Sequence, residues 1–477
     1  MATGPQPSAV PALFPAHAGV SLDATARWLA PTVLSGGLQH RTFRLSRRGA
    51  ALIRSWVRGA RPTGRAQRAL ARALTDAGLA HPRPGPGRGP NPAEVTVVIP
   101  VRDRPQELTR CLRALRGHPC IVVDDGSRDP AATRRAAAAA GAVVLEHPRC
   151  LGPAAARNTG LRRATTAFVA FLDSDCVPHG DWLARTLPHF ADPRVGAVAP
   201  RVVPLESRGS HLAAYEAVRS PLDMGRREGL VRPGTSLSYV PSAALLVRRA
   251  AVRSGFNERL MVGEDVDLVW TMIEQGWRIR YEPAGRVAHD HRTRVVPWLR
   301  RRFAYGTSAA PLAQRHPANL CGLAMPAPTM ALWLAVGAGA WPWAAAAALL
   351  GPARSAVRGI LAYRRAGPRR PDDGVTLCLR ASASATLGAA VHTGHAVSRP
   401  WLPAAVAAAL CSRRARRLLA TSLAVSAASA WWSGRHADRW RPAFFPLLLA
   451  DHAAYSAGVW WSCVRHRTWR PLLPRFR

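Results

Sequence analysis

An α/β architecture on a mostly parallel sheet, preceded by a small N-terminal domain and followed by a helical region, is predicted by three observations. Between Glu94 and about Pro317, apolar runs of strand length alternate with helical patterns across short links, as parallel strands joined by crossover helices require. Successive apolar runs end on acidic residues, which gathers charge along one sheet edge. Composition changes on both sides: a Pro/Gly linker, His81–Pro92, closes the first segment, and Ala, Leu and Trp dominate after Met325. The expected domains are 1–92, 93–317 and 318–477.

Residues from about 20 to 80 carry short apolar runs and an arginine-rich helical pattern. The linker HPRPGPGRGPNP then continues neither helix nor strand. VTVVIPV reads as the first strand of the sheet, RPQELTRCLRALRG as a helix and IVVDDGS as the second strand. An Ala-rich helix, the strand VVLEH, a helix from Ala154 and the strand AFVAFLDSD follow. Such sheets are wound by right-handed crossovers and bind ligands at the C-terminal ends of their strands. In GFNERLMVGEDVDLVWTMIEQGWRIRYEP, Glu264 and Asp265 open a further helix.

Beyond this, Thr329–Gly351 is uncharged and about long enough to span a bilayer. Apolar stretches recur at Thr376–Ser398, Trp401–Cys411, Leu418–Trp432 and Ala443–Val464. Trp333, Trp341, Trp343, Trp401, Trp431, Trp432, Trp460 and Trp461 lie near segment ends, and Arg413–Arg417 is basic. Tryptophan and arginine at those places predict a membrane-associated region. An Ala-rich bundle with tryptophans in its core stays open as the alternative.

The chain has 66 basic and 28 acidic residues, a net charge of +38, and no lysine. That charge suits nucleic acid, anionic lipid or phosphorylated substrates. The arginines are dispersed and no nucleic-acid-binding motif is present, so no nucleic-acid partner is expected. Eight cysteines without a Cys-x-x-Cys pair predict neither a disulfide framework nor a zinc site. The N-terminus shows no basic stretch followed by an apolar one, so no signal peptide is expected. The expected location is the cytoplasm or the cytoplasmic face of the membrane.

The strand tips carry the chemistry. The first strand ends on Pro100, Val101, Arg102 and Asp103, the second on Asp124–Ser127, and the fourth on Asp173, Ser174 and Asp175. Like charges crowd at one edge only if a cation or a donor-rich ligand offsets them. Asp-x-Asp spacing suits a divalent metal clamped onto a diphosphate. Turns also use Asp to bond their own backbone, and for VDDGS and DSD both readings stand. In LGPAAARNTGLRRA, Arg157 either meets a phosphate or base carbonyl or lies on a solvated helix face. Glu264 and Asp265 either cap a helix or supply a general base for an acceptor hydroxyl.

Taken together, IPVRDRPQELTRCLRAL, VVDDGSRD, GPAAARN, FLDSD and GEDVDL resemble glycosyltransferase family 2, over roughly residues 94 to 295. The resemblance implies a GT-A fold, a nucleotide-sugar donor and a divalent metal, Mn2+ or Mg2+. It places Pro100, Arg102, Asp125 and Arg157 around the base and ribose, and Asp173 on ribose or metal. Asp175 becomes a metal ligand, and His289 a further metal or diphosphate ligand. Asp265, with Glu264 beside it, becomes the base of an inverting transfer. SPLDMG, VPSAALLVRRAA and YGTSAAPLAQRHP are similar to glycosyltransferases of mycofactocin biosynthesis. That likeness implies glucose from UDP-glucose as the donor and the peptide-derived redox cofactor mycofactocin, or its precursor peptide, as acceptor. Residues Leu34–Gly59 resemble small winged-helix peptide-recognition domains. VPWLRRRFAYG lacks the Gln-x-x-Arg-Trp motif of processive synthases, which counts against polymer secretion. A cell-wall or lipid-linked glycan acceptor, and a non-catalytic membrane-bound peptide scaffold, stay open as alternatives.

Overall fold

The computed structural model describes residues 13–37, 41–85, 87, 89–205, 209–320, 322–365, 371–434 and 443–476. Cys321, the extreme N-terminus and parts of the Pro/Gly linker and of the segment 34–59 fall outside the described residues. The chain divides into two compact units, Met1–Ser207 with Arg219–His291, and Arg208–Val218 with Arg292–Arg477. The compositional boundaries at 92/93 and 317/318 do not coincide with that division.

In the first unit, β1 (Gly19–Leu22) pairs antiparallel with a later strand, while β2 (Arg27–Ala30), β3 (Val33–Gly36) and β4 (Arg41–Arg44) form a three-stranded antiparallel sheet. Helix α1 (Arg47–Val57) starts where the Ser46 hydroxyl accepts the Gly49 N–H at 3.0 Å, a standard N-cap. Helix α2 (Gly64–Asp76) follows, and β5 (Ala80–Arg83) returns to β1. Leu34, Ile53, Trp56 and Leu74 fill the core beneath them.

The large sheet follows in the chain: β6 (Val95–Val101), α3 (Pro105–Ala114), β7 (Cys120–Asp124), α4 (Pro130–Ala138), β8 (Val143–Glu146), α5 (Pro153–Arg163) and β9 (Phe168–Leu172). Then come β10 (Cys176–Pro178), α6 (Trp182–Thr186), β11 (Val195–Pro204), α7 (His211–Arg219), β12 (Gly229–Leu230), β13 (Ala244–Arg248), α8 (Glu264–Glu274) and β14 (Arg278–His289). The order is β10-β14-β11-β13-β9-β6-β7-β8, with β12 on β14. Strands β8, β7, β6 and β9 are parallel, and β11 and β14 run the same way. β13, β10 and β12 run against them, so the sheet is mixed but mostly parallel. Because β6, β7 and β9 are parallel neighbours, their acidic ends share one edge. Helix α5 lies close on β6: a Cβ at Gly160 would stand 2.2 Å from Val98 Cγ1.

The N-terminal layer is fixed to this sheet by buried charge. Arg72 of α2 donates to Asp192 at 2.7 Å, and Arg278 of β14 grips Asp76 with two bonds. His81 lies between Asp23 at 2.9 Å and Arg280 at 3.2 Å.

The second unit is helical: α7, then α9 (Val295–Thr307), α10 (Ala309–Arg315), α11 (Ala327–Ala338), α12 (Trp341–Ala348), α13 (Arg354–Arg365), α14 (Pro371–Ser398), α15 (Leu402–Cys411), α16 (Arg413–Gly434) and α17 (Phe444–Arg465). In its core Arg302 bonds Glu216, and the Tyr215 hydroxyl donates to Asp451 at 3.0 Å. The expected span at Thr329–Gly351 is corrected. Gly339, at φ 70°, ends α11 in the left-handed conformation, and Pro342 opens α12, so the apolar run forms two short helices. Among the described residues no helix is long and apolar enough to cross a membrane. The tryptophans split between the two expectations. Trp333 and Trp401 pack on a core of Leu323, Met325, Ala389 and Ala396, while Trp341, Trp343, Trp431, Trp432 and Trp461 are exposed.

Candidate active site

Each predicted residue can now be placed by what holds it. At the tip of β7, Asp124 Oδ1 accepts the Ser127 N–H at 2.8 Å, the turn bond expected of VDDGS. Asp125 has another role. Its Oδ1 accepts from His147 Nδ1 and the Leu151 N–H, both at 2.8 Å, and its Oδ2 from the Gly152 N–H at 2.8 Å and the Cys150 thiol at 3.2 Å. Burial alone would raise its pKa, but these bonds, His147 first, outweigh it and hold the carboxyl below its usual value. Asp125 therefore anchors the loop that leads into α5.

Arg157 is the centre of the constellation. It is 4 % exposed, donates to Asp173 Oδ1 at 2.6 Å and to Glu264 Oε1 at 2.8 Å, and lies 5.5 Å from the Phe256 ring centre. One guanidinium thus ties the tip of β9 to the first residue of α8. Burial works against its charge, and the Asp173 and Glu264 carboxylates more than restore it. The solvated-face reading of Arg157 is excluded by its burial. Glu264 is also buried, and its carboxyl is pushed up to about 6 by burial and the Asp265 charge, with Arg157 pulling the other way. Asp265 is only partly buried. Its Oδ1 accepts the Val266 N–H at 2.8 Å and its Oδ2 the Ser242 N–H at 3.3 Å. Two adjacent acids thus divide: Glu264 faces the arginine, and Asp265 lies at the surface of the helix start.

Asp175 and His289 come together because β10 pairs with the end of β14, Cys176 opposite His289. Asp175 Oδ1 lies 3.5 Å from His289 Nε2, and its Oδ2 accepts from Arg104 Nη1. His289 Nδ1 is 3.1 Å from His291 Nδ1. Among the described residues no three of His, Cys, Asp and Glu form a metal cage. A carboxylate and an imidazole nonetheless fit a hard ion that takes its remaining ligands from water and phosphate, the usual manner of Mg2+ at nucleotides. Pro100 is the penultimate residue of β6, and Arg102 is exposed beyond its end, its Nε 3.8 Å from Asp103.

Sequence reasoning missed His147, Arg104 and Ser242. His147 directly follows the strand VVLE, so the strand-tip logic that found Asp125 extends to it. Arg104 stands in the same charged turn as Arg102. Ser242 carries no signal, because it contributes only its backbone.

A family model described as glycosyl transferase family 2 matches residues 96–256. The chain is 43% identical over 419 residues, 86% of each chain, to the pre-mycofactocin glycosyltransferase of Mycobacterium tuberculosis. It is 28% identical over 208 residues to glycosyltransferase AglE of Haloferax volcanii, covering 41% of this chain and 64% of that one. Among solved structures, a mannosyltransferase from Pyrobaculum calidifontis in complex with GDP-Man and Mn2+ aligns at a TM-score of 0.44 and 20% identity, over 79% of this chain and 89% of that one.

Proposed function

The chain belongs to glycosyltransferase family 2, and from that premise we propose an inverting, metal-dependent transfer of a hexose, glucose from UDP-glucose, to mycofactocin or its precursor. The observation that carries the mechanism is the Asp173–Arg157–Glu264 bridge. It joins the donor-side strand tip to the helix start that carries Asp265, which sets donor and base in one frame.

Pro100, Arg102 and the loop anchored by Asp125 form the nucleotide end. Asp265 takes the acceptor's hydroxyl proton as that oxygen bonds the anomeric carbon. The bond from this carbon to the diphosphate breaks, and the diphosphate keeps the electron pair. Attack from the face opposite the leaving group inverts the carbon. Asp175 and His289 are the residues that would hold a divalent cation, which when bound neutralises charge growing on the diphosphate, while Asp173, bonded to Arg157, is left to the ribose. Glu264 keeps Arg157 in place and leaves the proton to Asp265, its more exposed neighbour.

The acceptor rests on the 43% identity with the pre-mycofactocin enzyme. Residues 1–92 we assign to acceptor recognition, on their resemblance to peptide-recognition domains. Purified protein incubated with UDP-glucose, Mn2+ or Mg2+ and the mycofactocin precursor should yield products heavier by whole hexoses in a mass spectrum. Transfer only to a lipid-linked acceptor overturns the acceptor; no transfer with any metal or nucleotide-sugar overturns the function.

A further inference from the structure

Asp175 is 8 % exposed, and a carboxylate so buried needs a counter-charge. Arg104 supplies it, bonding Oδ2 while His289 Nε2 stands 3.5 Å from Oδ1. The neighbouring guanidiniums have other partners: Arg157 bonds Asp173 and Glu264, and Arg110 bonds Asp290 at 2.5 Å. The backbone that presents Arg104 is constrained. Asp103 adopts φ 56°, in the left-handed region, its N–H donates to Ser127 Oγ at 2.9 Å, and its Oδ1 accepts the Arg128 N–H at 2.8 Å. Such a backbone is uncommon outside glycine, although Asp tolerates it better than most residues. Pro105 then starts α3.

We propose that Arg104 is a built-in counter-ion for Asp175, a positioning residue that keeps a divalent cation off the carboxylate until a nucleoside diphosphate arrives. The proposal rests on the metal-dependent reading above. With Arg104 on Oδ2, a divalent ion entering at Oδ1 beside His289 meets a carboxylate whose charge is already offset and is repelled by the guanidinium across it, because both are cations. The Arg104 side chain is 34 % exposed, so it can swing away without a large desolvation change. Its planar fork matches a phosphate as well as a carboxylate. Diphosphate entering the site draws the guanidinium from Asp175 to a phosphate oxygen and brings the cation to the vacated carboxylate. Cation and nucleotide then each tighten the other's binding by the same factor.

The test is Mn2+ binding to the full-length protein, read from loss of the free-ion paramagnetic resonance signal, alone and with UDP or GDP. Wild type should bind Mn2+ weakly alone and about tenfold more tightly with a nucleoside diphosphate, within the usual range of coupling. R104M and R104Q, two variants in case one fails to fold, should bind Mn2+ alone about tenfold more tightly than wild type and lose most of the coupling. D175N should remove binding in both backgrounds. If R104M and R104Q bind Mn2+ as wild type does, or more weakly, while D175N abolishes binding, Arg104 is no competitor and the metal site stands. If no protein binds Mn2+ with or without nucleotide, the metal-dependent reading falls, and this inference with it.

Discussion

Glu264 and Asp265 are neighbours in sequence with different environments, and their variants should differ in kind. Asp265→Asn removes the proposed base and should lower kcat by about 10²- to 10⁴-fold at all pH values, the usual worth of a positioned base. Glu264→Gln should act through pH. Because burial and the Asp265 charge raise the Glu264 carboxyl to about 6, it is protonated sooner than a free glutamate as pH falls. Its bond to Arg157 then loses its charge, so wild-type activity should fall below about pH 6. Glu264→Gln should start lower and lack that limb. A pH–rate profile of the three proteins checks both, and an acid limb that persists in Glu264→Gln would place the titration elsewhere. The sequence identified all these acids. It did not separate the neighbours, because which one meets Arg157 depends on where α5 and α8 lie against each other.

At the scale of elements, α5 matters most, since it carries Arg157 and rests on β6 through Gly160. Gly160→Ala would put a methyl 2.2 Å from Val98 Cγ1. Overpacking of this kind costs about 1–3 kcal/mol, and a lifted helix also moves Arg157. We expect a lower unfolding midpoint together with reduced kcat, measured by chemical denaturation and by turnover on the same sample. Normal activity with unchanged stability would show that β6 yields to the methyl. The order of strands and helices from β6 to β9 was legible, because each has a clear apolar period and a turn at its end. The antiparallel insertion of β13 between β9 and β11 was not, because Ala244–Arg248 has the same apolar pattern whichever way it runs.

Across the first unit as a whole, charge joins the N-terminal layer to the catalytic sheet. Burial would raise the carboxyls of Asp23, Glu228 and Glu282, but His81 with Thr25, Arg83 and His189 respectively hold each below its ordinary value. The sign follows directly: as pH falls, the unfolded chain takes up these protons before the folded one. The stability they contribute is fully present above about pH 4.5, the ordinary value for glutamate, and is lost progressively as pH falls below it through the lowered folded-state values. Thermal melts between pH 7 and pH 3 should drop most steeply below pH 4.5, and Asp23→Asn should lessen the drop at the acid end, below the ordinary aspartate value of 3.8. A flat profile in wild type would show that these paired carboxyls contribute little. Composition alone separated the N-terminal segment and the Ala/Trp-rich tail from the α/β region, and strand-tip acids with their family pattern led to a glycosyltransferase. Tertiary structure decided that the N-terminal segment is bound to the sheet by buried ion pairs, that the uncharged run after Met325 is broken at Gly339, and that Arg104 faces Asp175. Periodicity and local motifs record what each segment must bury or present. Which charge meets which depends on residues far apart in the chain, and no local pattern encodes that pairing.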